Sequence, residues 1–164
     1  EDEVLLMAYV HVAHDCIVRR RTIIANGVNL AGHIEVGEHT VIGGMCAVHQ
    51  FTRIGKHAMI AGGSMVRKDV PPFVLAGRYP ISYAGVNSVG LRRRGFTSAQ
   101  INEIKEIYRY IYLKGYNVRH ALELIEQDFA DTPERQEIVT FVRNSSRGVM
   151  RGYSSRKSAE THDD

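Results

Sequence analysis

The sequence predicts a mainly β protein, a left-handed parallel β-helix of hexapeptide repeats followed by a C-terminal α-helical domain. Three observations carry that prediction. Reading every sixth residue gives Leu6, Val12, Val18, Ile24, Leu30, Val36, Ile42, Val48, Ile54, Ile60 and Val66, eleven aliphatic side chains without a miss. Four positions after each of them the residue is small or β-branched, from Val10, Cys16 and Thr22 through to Ser64 and Val70. Beyond residue 96 the apolar period changes to helical spacing.

A period of six fits neither the ~3.6 of an amphipathic helix nor the 2 of an alternating strand. Three hexapeptides close a triangular coil whose aliphatic residues fill the interior and are buried by the coils stacked on either side. Residues 18 apart should then lie one above another at the ~4.8 Å strand spacing. His14, Gly32, Gln50 and Lys68 form one such column, and Asp15, His33, Phe51 and Asp69 its neighbour. Gly37, Gly43 and Gly55 directly follow the aliphatic position, where a tight bend is expected to need positive φ. The two cysteines, Cys16 and Cys46, are 30 residues apart and so fall on different faces, as buried thiols rather than a disulfide or metal pair.

The repeat is expected to stop at Asp69-Val70-Pro71-Pro72, because consecutive prolines cannot donate to a strand ladder. Residues 73–96 read as an irregular connector containing Gly77, Pro80, Gly85, Gly90 and Gly95. Thr97 and Gln100 form a capping box ahead of Ile101, Ile104, Ile107, Tyr108, Ile111 and Tyr112, with Gly115 as the stop. A second helix is expected from about Val118 to Phe129, and a third after Thr132 as N-cap with Pro133 in its first turn. The division is therefore 1–72 for the β-helix, 73–96 for the connector, 97–151 for the helical domain and 152–164 for a disordered, Ser- and Arg-rich tail.

Composition narrows the class. The 164 residues are 44% hydrophobic and 24% charged, with a net charge of +3, which suits an acidic partner or phosphorylated substrate and is too small to argue for nucleic acid. Two cysteines make no disulfide scaffold, and no apolar run approaches the ~18 residues of a membrane span, so a cytoplasmic protein is expected. The chain opens with Glu1 already inside the repeat, so an upstream portion is expected to be missing.

His11, His14, His33 and His49 crowd the first coils together with Asp15, Gln50 and Phe51. His49 stands directly after an inward aliphatic residue, where this repeat prefers a small side chain, and such a local violation marks a functional site. His39, His57, His120 and His162 read as solvated surface residues, and Arg19–Arg21 as a solvated basic turn or a dock for an acidic protein.

The segments His11-Val-Ala-His14-Asp15-Cys16, Leu30-Ala-Gly32-His33, Ile42-Gly-Gly44-Met45 and Ala47-Val-His49-Gln50-Phe51 resemble the acyl-carrier-protein–UDP-N-acetylglucosamine O-acyltransferase family. The likeness continues through Asp69-Val-Pro-Pro72, Gly85-Val-Asn87 and Leu91-Arg-Arg-Arg94-Gly-Phe96, and covers roughly residues 3–151. It implies transfer of a 3-hydroxyacyl group from acyl carrier protein to the glucosamine 3-hydroxyl of UDP-N-acetylglucosamine, the first step of lipid A synthesis, by a homotrimer with no cofactor and no metal. His14 resembles the general base, Asp15 its orienting group, and the Gly32 N–H the oxyanion donor. An imidazole, which titrates near ~6.5 in model peptides, suits removal of a sugar hydroxyl proton at neutral pH. The resemblance also makes His11, His33, His49 and Gln50 substrate contacts, and puts Asn87, Arg93 and Arg94 near the nucleotide. Gly62 matches the position that sets acyl-chain length, and a glycine there implies a long chain. Val89 and Arg78-Tyr79-Pro80 depart from residues that some relatives carry near the nucleotide.

Two other readings compete. A γ-class carbonic anhydrase uses the same β-helix and binds zinc through histidines, as His11, His14 and His33 could, although the Arg-rich connector and helical end have no place in it. A non-catalytic trimeric scaffold is the other.

Overall fold

The computed structural model describes residues 1–152. The hexapeptides wind into the expected parallel β-helix with three flat faces. One face stacks strands β1 (Leu5–Leu6), β4 (Ile23–Ile24), β7 (Val41–Ile42) and β10 (Met59–Ile60). The second stacks β2 (His11–Val12), β5 (Asn29–Leu30), β8 (Ala47–Val48) and β11 (Met65–Val66), and the third β3 (Ile17–Val18), β6 (Glu35–Val36) and β9 (Arg53–Ile54). All these pairs are parallel and keep the spacing of one coil, so that Val12 meets Leu30 and Leu30 meets Val48.

The second residue of each strand points inward. Ile24, Leu30, Val36, Ile42, Ile54 and Ile60 are fully buried, each burial stabilising the fold by about 1.5–3 kcal/mol. Leu6 and Val12 keep the same phase but stay 49% and 37% exposed, because β1 and β2 have a neighbouring strand on one side only. The small-residue positions hold hydroxyls and thiols that donate to backbone carbonyls at the corners. Thr40 Oγ1 reaches Gly55 O at 2.8 Å, Cys16 Sγ reaches Ala31 O at 3.0 Å, and Cys46 Sγ reaches Ala61 O at 3.2 Å. A polar side chain is therefore tolerated inside the prism wherever a corner carbonyl accepts its proton. Both cysteines are free; Cys46 is buried as expected, and Cys16, near the first coil, is half-buried.

The corners do not use glycine as the sequence suggested. Positive φ falls three residues after each inward aliphatic residue from Leu6 to Ile60, at Asp15, His33, His39, Met45, Phe51 and His57 among others, and not at Gly37, Gly43 or Gly55. Those glycines answer a different demand. A Cβ on Gly37 or Gly55 would collide with backbone of the next coil, at Lys56 and Pro72 respectively, so they are glycine for close approach rather than for φ.

The coil also outlasts its prolines. Ile54 bridges Val70, and β12 (Val74–Gly77) adds to β10 in parallel with Met59 opposite Leu75. Pro71 and Pro72 sit at the turn, where the coil needs no N–H from them. β12 then pairs antiparallel with β13 (Ser82–Val86), and helix α1 (Ser88–Arg93) follows, so the segment expected to be irregular is largely ordered.

Helices α2 (Ser98–Tyr112), α3 (Val118–Asp128) and α4 (Pro133–Arg143) begin at Thr97, Asn117 and Thr132. Thr97 and Gln100 make the capping box: Gln100 N donates to Thr97 Oγ1 and Thr97 N donates to Gln100 Oε1. Two buried polar contacts tie this end to the β-helix. Tyr108 Oη donates to Pro72 O at 2.6 Å, and Ser145 Oγ donates to the buried Asp69 carboxylate at 2.7 Å. Among the described residues no helix is long and apolar enough to cross a membrane. The tail expected to be disordered, with His162, lies outside the described residues except for Gly152, which bridges Tyr83.

Candidate active site

The triangular coil has three edges, and the predicted site residues divide among them. The edge between the second and third faces carries His14, Asp15, Gly32, His33, Gln50 and Phe51. His14 Nδ1 lies 2.8 Å from Asp15 Oδ2, and His33 Nε2 lies 3.7 Å from the same oxygen. The His14 and His33 rings meet edge to face at 5.0 Å, and His33 stacks on Phe51 at 4.8 Å. The hydrogen bond from His14 and, next, the charge of His33 hold the Asp15 carboxyl below its usual range. This edge exists because residues 15, 33 and 51 all take the left-handed turn conformation, which stacks their side chains along one line.

Gly32 lies directly against the His14 ring. A Cβ built on it would stand 2.8 Å from both Cε1 and Nε2 of the imidazole, closer than real Cβ atoms come. No backbone hydrogen bond among the described residues uses the Gly32 N–H, while its carbonyl accepts from Phe51 N at 3.1 Å. One chain thus presents a carboxylate-bonded imidazole and a second imidazole along one exposed edge, with the buried Gly32 packed beneath the first ring. His14, Asp15 and His33 also offer ligand atoms within 4.8 Å of one another.

The other expected contacts are more scattered. His11, on β2, lies opposite Asn29, and His49 bonds through Nδ1 to the Gln50 carbonyl at 3.1 Å. Neither makes a hydrogen bond or ring contact with His14 among the described residues. Gly62 is on the edge between the first and second faces, where a Cβ would lie 3.1 Å from Gly44 O.

Asn87 and Arg94 belong to the third edge, between the third and first faces. Asn87 Oδ1 accepts from Gly90 N, capping α1, and its Nδ2 donates to His57 O at 3.0 Å. Arg94 is partly buried, its Nη1 has no hydrogen-bond partner among the described residues, and burial lowers its pKa. Arg93 is exposed. His57 is a correction: far from solvated, it is only 8% exposed, stacked between His39 at 4.9 Å and Phe73 at 5.7 Å. The sequence did hold a signal, since His39 and His57 are one coil apart and so share a column.

Arg19–Arg21 change their meaning too. Arg19 pairs with Glu1 at 2.9 Å and Glu35 at 3.0 Å, and Arg21 with Glu3 at 2.7 Å, so the turn is laced to the coils around it. Two of its three guanidiniums are already paired, which weakens the idea that it docks an acidic protein.

Residues 69–150, half of the chain, match the family model described as UDP-N-acetylglucosamine O-acyltransferase, domain 2. The chain belongs to this O-acyltransferase family. An acyl-[acyl-carrier-protein]–UDP-N-acetylglucosamine O-acyltransferase of Thiobacillus denitrificans is 42% identical over 146 residues, covering 89% of this chain and 57% of that protein. Among solved structures, LpxA from Bacteroides fragilis, a UDP-N-acetylglucosamine acyltransferase, superposes with a TM-score of 0.89 at 44% identity, covering 90% of this chain and 58% of that one. LpxA from Acinetobacter baumannii gives 0.87 at 37% identity, with 91% and 58% covered. The chain therefore spans less than two thirds of the O-acyltransferases it matches.

Proposed function

We propose that this chain carries the reaction centre of an acyl transfer from an acyl-carrier-protein thioester to the glucosamine 3-hydroxyl of UDP-N-acetylglucosamine, the first step of lipid A synthesis. The observation that carries the reading is the His14–Asp15 hydrogen bond at 2.8 Å with Gly32 against the same ring. An ionised carboxylate only accepts, so Nδ1 holds the proton and Nε2 keeps its lone pair. That nitrogen takes the hydroxyl proton as the sugar oxygen attacks the thioester carbonyl. The C–O bond forms, the oxyanion is received by the Gly32 N–H, and collapse breaks the C–S bond. The imidazolium then returns its proton to the departing thiol.

His33, His11, His49 and Gln50 are proposed substrate contacts, with His33 held between the Asp15 carboxylate and Phe51. Asn87, Arg93 and Arg94 are proposed for the nucleotide, whose phosphate oxygens would satisfy the unpartnered Arg94 Nη1. Because the His14 set, Gly62 and the Arg94 set occupy three different edges of one chain, a substrate touching all of them must lie between copies. A homotrimer in the cytoplasm supplies that arrangement, and Gly62 leaves the acyl groove open for a long chain.

The test is acyl transfer to UDP-N-acetylglucosamine from acyl carrier proteins of several chain lengths, with His14→Ala as control. Transfer that persists in the control returns the chain to a scaffold role, and one bound zinc per chain on the His14, Asp15 and His33 cluster favours the carbonic anhydrase reading.

A further inference from the structure

The third edge holds a cluster that the proposed chemistry does not use. His57 stacks nearly parallel to His39, with 7° between the rings, and to Phe73, with 16°, while Phe96 meets it edge-on at 5.2 Å. Its backbone carbonyl accepts the Asn87 side-chain amide at 3.0 Å. Asn87 immediately precedes α1 and Phe96 follows it by three residues, so both ends of the helix that leads into Arg92, Arg93 and Arg94 close on one residue. Between them Leu91 is fully buried, and Asn87 N donates to Phe73 O at 2.8 Å.

We infer that His57 is a positioning residue: its ring braces Phe96 just beyond the C-terminal end of α1, while its backbone carbonyl holds the Asn87 cap, and the ring so fixes where the Arg93 and Arg94 guanidiniums stand. The ring works as a flat, uncharged stacking surface. Burial first, then the nearby Arg94 and His39, push its pKa down to about 3, so it is neutral beside the guanidinium at working pH. Among the described residues its Nδ1 has no hydrogen-bond partner, so a ring without that nitrogen loses no bond there. A phenyl ring should therefore replace it, and a methyl group should not. The inference rests on the proposed nucleotide role for its ligand, and on the geometry alone for the clamp.

The test compares the intact chain with His57→Ala and His57→Phe by amide hydrogen exchange over residues 88–94 and by calorimetric binding of UDP. In His57→Ala, which keeps the carbonyl that accepts from Asn87, exchange of residues 91–94 should accelerate at least tenfold and UDP affinity fall at least tenfold, while α2 exchanges as before. His57→Phe should stay within threefold of the parent in both. Where acyl transfer is measured, His57→Ala should raise KM for the nucleotide sugar tenfold and leave kcat within twofold, a split that general loosening of the fold would not produce. Unchanged exchange in His57→Ala, or a His57→Phe variant as impaired as His57→Ala, overturns the clamp. If His57→Ala does not fold, Phe96→Leu is read in its place: it removes the edge contact at one end and should speed exchange of residues 91–94, and no change there overturns the inference. A parent chain that binds no UDP overturns the nucleotide reading, and the exchange data still decide the clamp.

Discussion

His14 donates from Nδ1 to the carboxylate of its own neighbour, Asp15, at 2.8 Å, an arrangement possible because Asp15 adopts a positive φ of 58° at the corner. The bond selects the tautomer with a free Nε2. Asp15→Asn offers an amide that can donate as well as accept and so admits the wrong tautomer; kcat should fall on the order of 100-fold or more with KM little changed. Steady-state kinetics with the acyl-carrier-protein thioester, together with imidazole 15N shifts for the tautomer, check both parts.

Gly32→Ala should injure catalysis while sparing the fold. Its φ is not in the left-handed region, so alanine meets no backbone strain, yet the new methyl stands 2.8 Å from the His14 ring and must push it aside. Displacing a catalytic group by ~1 Å can cost ~100-fold. The expected result is a loss of about 10- to 100-fold in kcat with an unchanged thermal midpoint, and a fully active variant would remove Gly32 from the reaction centre.

Acid should destabilise the protein through His57. Its folded pKa is depressed to about 3 from the ordinary 6.5, so between these values the unfolded chain binds more protons than the folded one. The stability is present in full above the unfolded value and is lost as pH falls towards the folded one. Urea midpoints at pH 7 and pH 5 should reveal a His57 contribution of about 2 kcal/mol, and His57→Phe should abolish that part of the slope.

Tyr108→Phe tests the joint between helices and β-helix. The Tyr108 hydroxyl is fully buried and donates to Pro72 O at 2.6 Å, a carbonyl on the turn that replaces an ordinary corner. Removing it strands a buried acceptor, for a loss of about 1–3 kcal/mol in denaturant unfolding, without altering substrate KM values.

The coil was legible in the chain because its period is covalent. Leu30, Val36 and Ile42 need only a six-residue spacing to announce an interior, and the same arithmetic stacks His14 over Gly32. Two of the helices were legible through Thr97 and Thr132, whose caps are local, and the second through its apolar spacing. What misled was glycine. Gly37 and Gly55 suggested left-handed bends, whereas the bends are made by Asp15, His33 and His57 and the glycines admit a neighbouring coil. The connector was misread for a related reason: β12 pairs with β10 at a spacing of 16 residues, Met59 opposite Leu75, so the 18-residue count that announced the earlier coils is broken there.

The sequence by itself determined the prism, its inward residues and the adjacent columns that bring His14 and Gly32 beside Asp15 and His33, since each follows from counting along a repeat. The tertiary structure alone decided that Asn87 and Arg94 close over His57 on a separate edge, and that His57 is buried and uncharged. Burial and charge depend on which segments fold back onto the surface. That is set by packing between parts of the chain that share no period.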